Sequence, residues 1–88
     1  MKYTVLIPHT ELREEDLIPG ARVHVDWDPN DGKPEAIGII TEVRRWPKAF
    51  VSPGEAPEDI IIHLIDEITG AHREASLPDQ WIDVIAQE

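Results

Sequence analysis

Proline and glycine interrupt this chain so regularly that a long helix has no room to form. Eight prolines and five glycines are spread over 88 residues, and turn signals recur about every 8–12 residues. The segments between them are short and rich in β-branched or aromatic residues. This spacing predicts a single all-β domain of the barrel or sandwich kind, because a chain of this length supports one compact core.

Five strands are predicted from residue 22 onward. The first covers residues 22–27 and alternates strictly, which places Val23, Val25 and Trp27 on one face. The second covers residues 36–46, with Ile37, Ile39, Thr41 and Val43 expected on one face and Gly38 marking a bulge or a close backbone approach. In residues 59–66 apolar side chains occupy both the odd-numbered and the even-numbered positions, which predicts a strand covered on both faces. Residues 72–77 and 81–85 complete the set.

The first 18 residues predict an additional N-terminal strand and a helical turn. Residues 3–7 are β-branched or aromatic and end at Pro8. Thr10 is expected to cap a short superficial turn over residues 11–17. We therefore divide the single domain, residues 1–88, into this N-terminal part, a barrel over residues 19–85 and a tail over residues 86–88. Turn formers predict loops at residues 28–34 and 47–57 and turns at 68–70 and 78–80.

The order of these signals resembles the SH3-like small barrels, the group that includes Tudor-like and KOW-type domains. Pro19-Gly20 followed by the alternating segment Arg22-Val23-His24-Val25 is similar to the entry into the first strand of such barrels. The segment from Gly38 to Val43 is similar to their second strand. Pro78-Asp79-Gln80 lies where they usually have a short 3-10 turn. The resemblance implies five barrel strands, and a five-stranded OB-fold is the alternative.

The chain is acidic, with a formal net charge of −10. Residues 55–88 carry nine acidic residues and one basic residue, so most of the acidity belongs to the second half of the chain. Such a surface repels phosphates, and direct binding of nucleic acid is therefore not expected. The acidity suits a basic partner, and it also serves solubility.

No membrane segment or secretory signal is predicted, because no apolar run approaches the required length. We therefore expect a cytoplasmic protein without a membrane partner. The chain has no cysteine, which excludes disulfides and thiolate chemistry.

No catalytic, cofactor or metal site is predicted. The chain has no phosphate-binding glycine loop and no serine in a nucleophile setting, so we expect a protein that is not an enzyme and needs no cofactor. The four histidines show no metal-ligand spacing; two of them, His24 and His63, are expected at the surface or at the barrel rim. Trp27 and Trp81 are expected in the core, while an aromatic cage formed with Trp46 is the alternative.

A partner-binding site is predicted at two loops. Three of the eight basic residues, Arg44, Arg45 and Lys48, lie in the segment 44–50, which also holds two aromatics, and arginine and tryptophan are enriched at binding hot spots. The predicted contact residues are Arg44, Arg45, Trp46, Lys48, Phe50, Asp28 and Asp31. The alternative for this segment is structural: Trp46 would close one end of the barrel while the bases neutralise nearby acids.

These observations favour a non-catalytic module that binds another protein, as a subunit or adaptor of a larger complex. The first alternative is an acidic inhibitor or nucleic-acid mimic of the mobile-element type, directed at a protein that handles DNA or RNA. A small enzyme subunit is the second alternative. Self-association is a further alternative, because an edge strand such as residues 3–7 can pair with a neighbouring copy.

Overall fold

The computed structural model describes residues 3–27, 35–54, 58–77 and 80–87. These residues form one six-stranded antiparallel sheet and a single 3-10 turn, which confirms the all-β prediction. The strands are β1 (Val5–Ile7), β2 (Arg22–Asp26), β3 (Ala36–Pro47), β4 (Glu58–Asp66), β5 (His72–Leu77) and β6 (Trp81–Ile85), and the 3-10 turn covers Glu14–Asp16.

The sheet order is β1-β6-β2-β3-β4-β5. Strands β2 to β5 follow one another as antiparallel neighbours, whereas β6 returns to pair with β2 on its other side. The N-terminal strand β1 then adds to β6. The N-terminal segment is therefore part of the same sheet as the five strands that follow it.

The core lies on one face of this sheet. Val23, Val25 and Trp27 are buried as their alternation predicts, and the guanidinium of Arg73 lies 4.5 Å from the centre of the Trp27 ring. The buried cluster also includes Leu17, which follows the 3-10 turn, and residues of β3 to β6: Ala36, Ile40, Ile60, Ile62, Leu64, Ala75 and Ile82.

Strand β3 joins the two halves of the sheet at Gly38. This residue is paired with Val23 of β2 and with Asp66 of β4. A Cβ atom at position 38 would overlap the carbonyl oxygen of Ile65 and lie 2.8 Å from its carbonyl carbon. The predicted close backbone approach at Gly38 is confirmed, and only glycine fits there without moving β4.

A register shift between Ile40 and Glu42 changes which residues of β3 face the core. Before the shift Ala36 and Ile40 lie in the core cluster while Ile39 is half-buried, and after it Val43 packs against the cluster while Thr41 is exposed. The prediction that Ile39 and Thr41 share the inner face was therefore wrong, because even-numbered residues face inward before the bulge and the odd-numbered Val43 does so after it.

Strand β4 is buried on one face only. Ile60, Ile62 and Leu64 are buried, whereas Ile65 is exposed and Ile61 is half-buried. The prediction of cover on both faces was wrong because nothing described in the structure packs over the outer side of β4. This outer side, together with the outward residues of β3 and β5, is called the outer face below.

The N-terminal turn is deeper and shorter than expected. It begins after Arg13, whose backbone N–H donates to the Asp16 carboxylate at 2.9 Å, so Thr10 is not its cap. Leu17, which follows the turn, is fully buried in the core rather than superficial. The turn therefore anchors the N-terminal segment against the sheet.

The remaining turns agree with their sequence signals. Gly70 has a φ of 73° at the β4–β5 turn, where the Asp66 carboxylate accepts a hydrogen bond from the backbone of Ile68 at 2.8 Å. The predicted 28–34 loop, Pro78 and Asp79 lie outside the described residues. Among the residues that are described, no helix is long and apolar enough to cross a membrane.

Candidate functional site

The predicted partner-binding segment begins at the end of β3 and continues into the β3–β4 connection. The long strand carries the Trp46 side chain beyond the core, where it is 54% exposed. Phe50 is 91% exposed, and Val51 beside it is also exposed. We call Trp46, Phe50 and Val51 the β3–β4 tip. Because Trp46 is exposed, the alternative in which it closes the barrel is not supported.

The basic residues of the same segment are neutralised by nearby carboxylates. Arg44 Nε lies 3.0 Å from Glu42 Oε1, and Lys48 Nζ lies 3.5 Å from Asp59 Oδ1. Arg45 Nη1 bridges two acids, at 3.0 Å from Glu14 and 3.3 Å from Glu58. The segment therefore offers exposed apolar surface rather than uncompensated positive charge.

The three tryptophans do not form a cage. Trp27 is buried, and Trp81 at the start of β6 is 60% exposed and stacks on His9 with ring centres 4.9 Å apart. The prediction that Trp81 lies in the core was wrong: Ile82 and Ile85 are the buried residues of β6. Asp28 and Asp31, the other predicted contact residues, lie outside the described part of the chain.

A cluster that the sequence did not predict surrounds His24 on β2. The His24 side chain is only 7% exposed, although it was expected at the surface or rim. Its Nε2 atom lies 2.7 Å from the Glu35 carboxylate, and its Nδ1 atom lies 3.5 Å from Asp83 Oδ2. Asp83 is the cross-strand partner of His24 on β6. We call His9, His24, Glu35 and Asp83 the His24 cluster.

The His24 cluster is held together by the N-terminal segment. His9 donates its backbone N–H to Asp83 Oδ1 at 2.6 Å, and its Nδ1 atom lies 3.0 Å from the same oxygen. Tyr3 stacks on His24 with ring centres 4.7 Å apart. The pKa of Tyr3 is raised, first by burial and then by the negative charges of Glu35, Asp83 and Asp26. This end of the sheet is therefore strongly anionic.

A second cluster lies on the outer face of β4 and β5. His63 Nδ1 lies 2.9 Å from His72 Nε2 and 3.5 Å from Glu74 Oε1. One potential ligand atom from each of these residues lies within 4.8 Å of the other two. We call His63, His72 and Glu74 the His63 cluster. The sequence-based prediction of no metal site rested on spacing along the chain, and antiparallel pairing brings these residues together across strands.

Two features surround the His63 cluster. Glu42 is the cross-strand partner of His63 on β3. The pKa of its carboxyl is lowered, first by the hydrogen bond from Arg44 and further by the charges of Arg44, His63 and His72. On the other side, Glu74 also lines an open cleft of about 240 Å³, whose lining residues are Trp27, Ile61, Glu74, Ala75, Ser76 and Gln80.

No protein-family model, curated protein or solved structure matches this chain.

Proposed function

We propose that this protein is a non-catalytic interaction module that binds another protein through the β3–β4 tip. The observation that carries the proposal is the exposure of Phe50, at 91%, beside an exposed Trp46. Burying one such aromatic side chain on a partner contributes roughly 1.5–3 kcal/mol. Two aromatics on one short segment are therefore enough to anchor a small interface.

The fold supports this role. Strands β2 to β5 form consecutive hairpins and β6 returns beside β2. Between the SH3-like small barrel and the OB-fold, this strand order supports the SH3-like small barrel. Pro47 ends β3, and the connection to β4 then carries Phe50 away from the sheet. Binding residues are commonly found on loops of this kind that a rigid sheet positions.

Charge supports a partner with a basic rim around an apolar pocket. Each basic residue in the described part of the chain lies within 4.0 Å of a carboxylate. The acidic residues outnumber the basic ones and give the net charge of −10, so the remaining carboxylates are available to a basic partner. Surface charges of this kind raise the association rate and make it depend on salt.

The experiment begins with a photo-activated cross-linker in place of Phe50, introduced in the native host. We expect a discrete cross-linked protein from this position and none of the same mass from Trp81, an exposed aromatic outside the tip. The cross-linked protein is then purified, and its affinity is measured by calorimetry with unmodified chain.

Substitutions then test whether the tip carries the affinity. Phe50→Ser combined with Trp46→Ser should weaken binding by about 100-fold or more, since two aromatic anchors are removed. Trp81→Ser is the matched control and should change affinity by less than about twofold. Equal affinities for the tip variant and the parent chain would refute the proposal.

A second candidate function is an acidic mimic of nucleic acid. The observation that favours it is the group of acids near Tyr3, whose pKa is raised first by burial and then by the negative charges of Glu35, Asp83 and Asp26. A mimic would compete with DNA for its partner, and its affinity would fall steeply between about 0.1 M and about 0.5 M salt. If DNA and this protein bind the partner simultaneously, this second candidate is excluded.

A further inference from the structure

The arrangement of the His63 cluster differs from that of a simple hydrogen-bonded pair. Two imidazole nitrogens lie 2.9 Å apart, and a carboxylate oxygen lies 3.5 Å from one of them. Two neutral imidazoles need only one shared N–H proton to form a hydrogen bond with each other. The additional carboxylate favours a positive charge at the point where the three groups meet.

The distances fit a metal ion after a small adjustment. Zinc bonds to histidine nitrogen at about 2.0–2.1 Å and to carboxylate oxygen at about 2.0–2.2 Å. Tetrahedral angles then require about 3.4 Å between neighbouring ligand atoms. The His63–Glu74 distance of 3.5 Å already fits, and the two imidazoles must separate by a few tenths of an ångström. The ligand atoms of His72 and Glu74 lie within 4.8 Å of each other, a gap that rotation of these two exposed side chains can close.

The backbone positions of the three residues support this adjustment. His63 and Glu74 are directly paired across β4 and β5, and His72 lies two residues from Glu74 on the same face of β5. His72 and Glu74 are both exposed, so their side chains can turn toward an ion without disturbing the core. The ligands therefore come from one hairpin whose register is set by the sheet.

We propose that His63, His72 and Glu74 bind one divalent transition-metal ion of the zinc class. His63 contributes Nδ1, His72 contributes Nε2 and Glu74 contributes one carboxylate oxygen. The mixture of two imidazoles with one carboxylate selects a borderline ion such as Zn²⁺ over Mg²⁺ or Ca²⁺, which prefer oxygen ligands. Three protein ligands leave a fourth position for water or for a ligand of the ion.

Glu42 and its arginine partner have a supporting role beside this site. Glu42 accepts a hydrogen bond from Arg44 at 3.0 Å, which keeps its carboxylate ionised and directed along β3. A negative charge across the strand from His63 adds to the attraction for a cation.

The test uses the full chain without a histidine tag. Zinc sulfate is titrated by calorimetry at neutral pH, and Co²⁺ is added as a spectroscopic probe of coordination. We expect one ion per chain and a visible Co²⁺ absorption typical of four-coordinate geometry. Either a lack of saturable zinc binding or stoichiometry well above one would overturn the proposal.

Variants identify the ligands. His72→Ala should weaken zinc binding by about 100-fold or more, and Glu74→Gln by about 10-fold or more. The loss of a metal ligand should reduce affinity at least as much as the loss of a residue that only orients a ligand through a hydrogen bond. His9→Ala removes a histidine from the other cluster and should leave zinc affinity within about twofold. Equal losses in His9→Ala and His72→Ala would show binding elsewhere and exclude this site.

A measurement on the unmodified chain guards against variants that fail to fold. The ring protons of all four histidines are followed by NMR during zinc addition. We expect the signals of His63 and His72 to shift with a single endpoint, while those of His9 and His24 stay in place. Shifts centred on His9 or His24 would overturn the assignment.

Discussion

The His24 cluster and the His63 cluster use the same residue types in opposite arrangements. In the first, each nitrogen of the His24 ring faces a carboxylate, and the two histidines share Asp83 instead of facing each other. In the second, two imidazole nitrogens face each other beside a carboxylate. The first arrangement places one buried imidazole between two carboxylates, and the second suits a metal ion.

The two clusters also differ in how the chain builds them. His9 and Asp83 are 74 residues apart in sequence, so the His24 cluster forms only when the N-terminal segment meets β6. His63 and His72 are nine residues apart and belong to one hairpin. Distant segments enclose the first cluster, whereas a local hairpin leaves the second on the outer face. We therefore expect the first to matter for stability and the second for ligand binding.

The largest effect is expected where β3 connects the two regions. Gly38→Ala places a Cβ atom against the Ile65 carbonyl and must push β4 away, so we expect a loss of more than about 3 kcal/mol in the free energy of unfolding or no folded protein. Denaturation with guanidinium measures this loss. Gly54→Ala is the control: its φ is 88° but its surroundings are open, so strain alone should cost about 1–2 kcal/mol. Equal losses at both positions would show that the close approach is unimportant.

The next largest effect on stability is expected in the His24 cluster and distinguishes it from the His63 cluster. His24→Ala removes a buried imidazole and leaves the mostly buried Asp83 without this neighbour, and we expect a loss of about 2–3 kcal/mol in the free energy of unfolding. His72→Ala, measured without metal, should cost less than about 0.5 kcal/mol because His72 is exposed. Urea denaturation of both variants provides the comparison. A larger loss for His72→Ala would reverse our assignment of the structural cluster.

A smaller effect concerns an ion pair that ties β2 to the β4–β5 turn. Arg22 donates from Nε and Nη2 to the two Glu67 oxygens at 2.6 and 2.8 Å, and the hydrogen bond from Arg22 is the main cause that lowers the pKa of Glu67. We expect Glu67→Gln to cost about 1 kcal/mol at neutral pH, a value limited by partial exposure to solvent.

The pH dependence of this variant has a definite sign. A lowered pKa in the folded state means that the stabilisation is present above the ordinary value of 4.5 and is lost as the pH falls through the lower folded value. The stability curves of the parent chain and Glu67→Gln should therefore converge in acid. Curves that stay parallel down to strongly acidic pH would show that the loss has another cause.

The smallest effect is expected at the β3–β4 tip. Phe50→Ser removes a side chain that is almost wholly exposed, so the free energy of unfolding should change by no more than about 0.5 kcal/mol. Thermal denaturation followed by circular dichroism measures it. Ile62→Ser is the matched control in the core and should be strongly destabilising. A large loss at Phe50 would assign this residue to the fold rather than to a partner.

Local sequence patterns predicted much of the fold. The alternation of Val23, Val25 and Trp27 defined the inner face of β2, because successive side chains on a strand point to opposite sides. The same reasoning failed for β3, where Ala36 and Ile40 face inward before the bulge and Val43 after it, and for Trp81, where the apolar residue next to it takes the buried position. A period of two cannot reveal an inserted residue or decide between adjacent apolar side chains.

The candidate sites were less accessible to sequence analysis. The exposed aromatics of the β3–β4 tip belong to a continuous segment, and the prediction included Trp46 and Phe50. Neither histidine cluster has a motif, because its members meet through strand pairing: His63 faces Glu74 across β4 and β5, and His24 faces Asp83 across β2 and β6. Pairing and register depend on the whole sheet.

Local sequence is sufficient to show that this chain forms short strands, where most of the turns lie, and that the surface is acidic. These are properties of neighbouring residues, set by side-chain alternation, by proline and glycine, and by charge. The pairing of the histidines, the neutralisation of the bases and the exposure of the aromatics follow from the folded sheet. Each of those outcomes requires that segments far apart along the chain come into contact, and the energy of such contacts depends on distance in space.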